Sequence, residues 1–149
     1  MFLAKNILLP VKGERWEEQT FGIASILSKL SRGTIHALHI IEIERSLPVD
    51  AEIDVKTNHG EETLAWIESL AREADCSLTS DLLQSRRAGP AIVQESIEKS
   101  IDAIVLGTND KPNHRETVLG NTVDYILRES QCHVLLLRNQ LLAPLHTKD

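Results

Sequence analysis

The residues best placed to meet a ligand gather around two glycines. Gly107 follows the apolar run at 101–106. Gly120 opens a segment of helical period that continues Asn121, Thr122, Val123. The free backbone N–H groups at a helix start attract an anion, and a glycine beside them lets it come close. Thr108 next to the first glycine, the amide of Asn121 and the hydroxyl of Thr122 add polar groups, so a phosphate fits here. Either glycine is equally explained by a structural turn. Lys12 and Asp110 supply opposite charges to the same region. A carboxylate about 4 Å from a phosphate charge repels it by roughly 4 kcal/mol at an effective dielectric constant of 20. Asp110 therefore opposes a polyphosphate, whereas Lys12 either pairs with Asp110 or meets the phosphate itself.

Other chemistry finds less support. His36 and His39 are three apart, which on a strand sends them to opposite faces and away from a common metal. The remaining histidines, Cys76 and Cys132 show no ligand spacing, and the two cysteines read as reduced thiols. Ser25 and Ser28 lack a Gly-x-Ser-x-Gly turn. No base is paired with a nucleophile and no metal set is present, so catalytic machinery is not evident. Arg86 and Arg87 fit either a solvated loop or an anion contact reaching toward a crevice. Glu14, Glu17 and Glu18 suit the positive end of a helix dipole, a structural role. Trp16 and Trp66 fall on helical faces and read as packing residues.

The elements that must carry these residues alternate between two periods. Residues 7–11 form a short apolar run, as in a strand covered on both faces. Pro10 cannot donate to a ladder and ends it. Trp16, Thr20, Ile23, Ala24, Leu27 and Leu30 recur at three and four residues, a helical face closed by Gly33. Residues 34–43 read as a second strand, 44–57 as a loop. Leu64, Ile67, Leu70, Ala71 and Ala74 mark a second helix, and 77–84 a partly exposed strand. Ala88-Gly89-Pro90 opens a third helix that buries Ile92, Val93, Ser96, Ile97 and Ser100. A fourth strand at 101–106 and a polar loop at 107–119 follow. The fourth helix at 120–130 buries Val123, Ile126 and Leu127. Residues 134–137 are the fifth strand, and 139–149 a loose tail after a domain spanning 1–138.

The βαβαβαβαβ order predicts an α/β, three-layer sandwich with a five-stranded parallel sheet and right-handed crossovers. The two most apolar strands, one and four, belong in the middle, giving the order 3-2-1-4-5. Ligands of such sheets sit beyond the strand carboxyl ends where the order reverses. That crevice lies between strands one and four. Its expected rim is Pro10, Val11, Lys12 and Gly13, then Ile40, Ile41 and Glu42, with the loop from Gly107 to Gly120 closing it. Val134, Leu135, Leu136 and Leu137 would form an apolar edge, a hazard unless a second copy covers it.

The 149 residues fit one domain, with 42% hydrophobic, 26% charged and only 3% aromatic side chains, so the core is aliphatic. A net charge of −6 argues against a nucleic-acid binder. Lys5, Asn6 and Pro10 interrupt the opening apolar stretch, which therefore lacks a signal-peptide core. No run reaches the ~20 apolar residues of a membrane helix. A cytoplasmic protein is the expectation.

Gly107-Thr108-Asn109-Asp110, nine residues, then Gly120-Asn121-Thr122-Val123 resembles the nucleotide signature of the universal stress protein family. That signature reads Gly, two residues, Gly, nine residues, Gly, then Ser or Thr. Asn6 to Val11 resembles the family's first strand, Leu38 to Glu42 its second, Gly89-Pro90-Ala91-Ile92 the start of its third helix, and Cys132 to Leu137 its last strand. The segment with Arg45-Ser46-Leu47-Pro48 is similar to the variant appended to amino-acid permeases. The resemblance implies an adenine nucleotide alpha hydrolase-like fold and a stress-response or regulatory role. It also implies a homodimer through the last strand and an adenine nucleotide, ATP or AMP, as ligand. Pro10 and Ile40 would line the base site, and Gly107, Gly120, Asn121 and Thr122 would meet phosphates. Three positions depart from the pattern. Asp110 replaces the second glycine, Asn121 the usual Ser or Thr, and Lys12 an acidic residue. A degraded site or one that takes another anion, such as a mononucleotide, both fit. So does a nucleotide-free interaction module partnering a transporter, and, more remotely, a weak nucleotide hydrolase.

Overall fold

In the computed structural model, residues 3–109 and 120–139 are described. Asp110 and the rest of the 110–119 loop lie outside them, as does 140–149. The chain runs β1 (Asn6–Pro10), α1 (Glu17–Ser31), β2 (Thr34–Glu42), α2 (Asp54–Ala74), β3 (Leu78–Ser85), α3 (Ala88–Glu98), β4 (Ala103–Asn109), α4 (Asn121–Glu129) and β5 (His133–Asn139). The strands form one sheet in the order β3-β2-β1-β4-β5, with every neighbouring pair parallel.

Alternation along the strands splits the core in two. Ile7 and Leu9 of β1, Ile35 and Ala37 of β2 and Val105 of β4 face Phe21 and Ala24 of α1 and Leu64 and Ile67 of α2. Leu8, Leu38, Ile104 and Leu106 point the other way, against Ile92 and Val93 of α3 and Ile126 of α4. β1 and β4 are apolar on both faces because both faces are covered. Cys76 packs with the first cluster and Cys132 with the second, so the two free thiols sit on opposite sides of the sheet.

The helices differ from the sequence reading in detail. α2 begins at Asp54, inside the stretch read as loop. On α1, Leu30 is 78% exposed, while Phe21, outside the expected face, is buried. On α3, Ile97 is 49% exposed; Ser100, past the end of the helix, is exposed rather than buried. On α4, Leu127 is 44% exposed. The buried stripe of α1 centres on Phe21, Ala24 and Ser28, which leaves Leu30 on the opposite side of the helix. α1, α2 and α3 end alike, each with a left-handed non-glycine residue, Arg32, Asp75 and Ser100. At α1 the N–H of Arg32 donates to Lys29 O and that of Gly33 to Ser28 O, a Schellman motif in which Arg32, not the expected Gly33, takes the strained position. β5 reaches Asn139, one residue into the expected tail.

Candidate functional site

A gap opens where β1 and β4 part. Their register pairs stop at Leu8↔Ile104. Odd residues of β1 face β2, as the Val11 N–H to Leu38 O bond shows, and even residues face β4, as the Asp102 N–H to Asn6 O bond shows. Pro10 therefore stands on the β4 side, where its missing N–H ends the ladder. Where the two strands part lies a cleft of about 740 Å³, within the usual range of ligand pockets. Its walls are mostly apolar, with Pro10, Val11, Ile40, Ile41, Leu106 and Val123 among them.

The β1–α1 loop is held rigidly on one side of this cleft. Gly13 has φ 103, a left-handed value open to glycine. That turn aims three successive N–H groups inward, and Glu17, 4% exposed, accepts all of them. Its Oε1 lies 3.0 Å from Lys12 N, 2.7 Å from Gly13 N and 2.9 Å from Glu14 N, and its Oε2 lies 2.8 Å from Lys12 N. Such a backbone nest is an anion site; here the chain's own carboxylate fills it. Burial pushes the Glu17 carboxyl above its usual pKa, and the three N–H bonds offset only part of that rise.

Two histidines grip the same loop from below. His39 Nδ1 donates to Val11 O at 2.9 Å and His59 Nε2 to Lys12 O at 2.7 Å. Their rings meet edge to face at 5.6 Å. Burial holds the His39 pKa below the ordinary imidazole value; the bond to Val11 O raises it somewhat and His59 lowers it. His36, on the opposite face of β2, instead meets Thr79 Oγ1 and Asn6 Oδ1.

Gly107 has a structural reason to be glycine. A Cβ there would lie 2.2 Å from Thr20 Oγ1 and 2.4 Å from Trp16 Cζ3. The Trp16 indole thus occupies the side-chain space of Gly107 and also lines the cleft, more than a packing role on a helical face. Of the expected site residues, Pro10, Val11, Lys12, Ile40, Gly107 and Thr122 converge on the cleft. Thr108 does not: it is buried, and its carbonyl accepts from Asn139 Nδ2. Asn121 lines a separate polar cavity, and Gly13 borders a third hollow beside His59. Gly120 is the N-terminal cap of α4 and touches neither cavity wall. Among the described residues Lys12 has no ion-pair partner. The cleft residues that the sequence did not suggest include Glu17, His39, His59 and Lys56, whose Nζ donates to Glu42 O at 3.0 Å. Lys56 and His59 lie in or beside the stretch that reads as loop, His39 carries no motif, and Glu17 reads as a helix-dipole acid.

Arg86, exposed and bordering the polar cavity, also has a structural task. Its Nη1 donates to the carbonyls of Glu44 and Leu47, both at 2.7 Å, and ties down the β2–α2 connection. Glu42 Oε2 accepts the N–H of Ala88 at 2.7 Å and so caps α3. β5 is an outer strand of the sheet: Val134 and Leu136 pack toward one core cluster, Leu135 toward the other, and Leu137 lies in register with Gly107.

Residues 4–138 match the model of the universal stress protein family. A universal stress protein of Methanocaldococcus jannaschii is 22% identical over 142 residues, covering 91% of this chain and 83% of its own. A universal stress protein structure from Archaeoglobus fulgidus superposes with a TM-score of 0.74 at 19% identity, covering 91% of this chain and 98% of that one. An Archaeoglobus fulgidus universal stress protein in complex with dAMP gives a TM-score of 0.69 at 17% identity, with 91% and 98% covered.

Proposed function

Because this chain belongs to the universal stress protein family, we propose that it is a stress-response regulatory domain that binds an adenine nucleotide in the cleft between β1 and β4. The observation that carries this reading is the cleft itself: a mostly apolar hollow at the switch point of the sheet, large enough for a nucleoside. Val11, Ile40 and Leu106 would receive the base. Thr122 and the Lys12 ammonium would stand toward the phosphate. The related protein solved with dAMP supports a mononucleotide as the ligand class. A mononucleotide also suits Glu17, whose carboxylate already fills the loop nest that a longer phosphate chain could otherwise reach. The same reading makes the protein a cytoplasmic homodimer joined through β5, the outer strand carrying Val134 to Leu137.

A second reading is a nucleotide-free dimeric module working with a transporter. The filled nest around Glu17 favours it, since one anion site of the cleft is closed from within. Calorimetric titration with AMP and ATP decides between the two. Saturable binding of AMP, one per chain, is expected. Absence of saturable heat with every adenine nucleotide would leave the interaction module standing.

A further inference from the structure

Beside the apolar cleft lies a polar cavity of about 460 Å³, and the two share Glu42, Ala88 and Thr122 as walls. Two helices point their amino ends into it. α3 enters with Arg87, Ala88 and Gly89, and α4 with Asn121 and Thr122. Neither helix has a side-chain hydrogen bond from its own capping residue, Arg87 or Gly120. On α3 the Ala88 N–H is taken by Glu42 and Pro90 has none, which leaves that of Gly89.

Tyr125 lines the same cavity, with two guanidiniums near its ring. Arg87 Cζ lies 5.4 Å from the ring centroid and Arg128 Cζ 5.9 Å. Stacking on a ring fixes a guanidinium in place while leaving its N–H donors free. Arg128 spends part of its charge on Asp124, at 2.7 Å, and on Glu129, at 3.5 Å. Among the described residues Arg87 has no carboxylate partner at all. Arg86 lines the cavity too, and it bonds carbonyls rather than an acid, so its positive charge is not cancelled. Three arginines therefore stand against Glu42 and Asp124 in the cavity wall. This is a local positive excess in a chain of net charge −6, reinforced by two helix dipoles.

We propose that this cavity is an anion site in which Arg87, held on Tyr125 and helped by Arg128 and the amino ends of α3 and α4, binds a phosphoryl group. Its position next to the cleft makes the natural occupant the phosphate of a mononucleotide whose base lies among Val11, Ile40 and Leu106; that part rests on the function proposed above. The site shares Asn121 and Thr122 with the phosphate position expected at Gly107 and Gly120; what it adds is the charge of Arg87 at the β3–α3 junction and of Arg128 on α4.

The test uses the full chain with inorganic pyrophosphate, AMP and adenosine, each titrated calorimetrically into wild type, Arg87→Gln and Arg128→Gln. Arg87 is exposed and has no ion pair among the described residues, so Arg87→Gln should fold; an unchanged melting curve verifies it. Pyrophosphate should bind wild type saturably and about tenfold more weakly to Arg87→Gln. Arg128→Gln should lose less, because Arg128 is partly neutralised already. AMP should follow pyrophosphate, while adenosine should bind all three proteins within about twofold. Pyrophosphate that fails to saturate, or that binds Arg87→Gln as well as wild type, overturns the anion site. Adenosine and AMP that both fail to bind, with pyrophosphate behaving as expected, overturn the nucleotide cleft and leave the anion site in place.

Discussion

Replacing Gly107 by alanine tests whether that glycine serves packing. The added Cβ would stand 2.2 Å from Thr20 Oγ1 and 2.4 Å from Trp16 Cζ3. Comfortable contacts between such atoms lie near about 3.5–4.0 Å, so one neighbour must retreat by more than about 1 Å. Thr20 cannot, being 1% exposed on a helix packed against the sheet. Trp16 can, because it borders the open cleft. Overpacking of this kind costs about 1–3 kcal/mol. In a domain of this size that lowers the melting temperature by roughly 3–10 °C. The indole should also swing toward solvent, shifting its emission to longer wavelength. A Trp66→Phe background isolates the Trp16 signal. Gly120→Ser is the control: a Cβ there meets nothing within 4 Å among the described residues, and serine is a good cap. Equal melting and unchanged Trp16 emission in Gly107→Ala would refute the packing argument.

Three further outcomes follow from the loop and the helix ends. Glu17→Ala strips the acceptor from three N–H groups of the β1–α1 loop, and with partial rescue by water should destabilise by about 2–3 kcal/mol, read by urea unfolding; a loss under about 0.5 kcal/mol would mean the nest contributes little. His39 has a folded pKa below its unfolded one, so only the unfolded chain takes up the proton as pH falls below about 6.5. The stability His39 adds relative to His39→Asn should therefore be full above that pH and shrink on acidification toward the folded pKa; a difference independent of pH between 7 and 5 would contradict the shift. Arg32→Gly relieves a left-handed residue at φ 52 and should raise the melting temperature by roughly 2–4 °C, from a gain of about 1 kcal/mol; a lower melting temperature would show that Arg32 is unstrained.

The large-scale order was legible because it is written in strong signals. β1 and β4 stand out because 7–11 and 103–106 are apolar on both faces, and that put them in the middle of the sheet. Pro10 marked the end of β1, and it stands on the β4 side just past the last paired residues. Finer features depended on contacts between residues distant in sequence. Glu17 read as a helix-dipole acid, and nothing nearby in the chain announced that Gly13 would turn three amides onto it. Gly107 read as a phosphate glycine, yet its neighbour is the Trp16 indole at the entrance to α1, about ninety residues earlier. Arg86 and Arg87 looked alike, but adjacent residues leaving a strand diverge: one binds loop carbonyls and the other lies on Tyr125. His39 and His59 come together only because β2 and α2 pack, a pairing without sequence spacing to betray it.

Amide chemical-shift mapping of the full chain during titration with AMP reaches the core of this account. A nucleotide seated between β1 and β4 should move the amide resonances of Val11, Ile40, Gly107 and Thr122 together, along one saturating curve, and leave the far ends of the strands near Asn6 and Ala103 still. Shifts absent from those four positions at millimolar AMP, or gathered at the opposite end of the sheet, would contradict it.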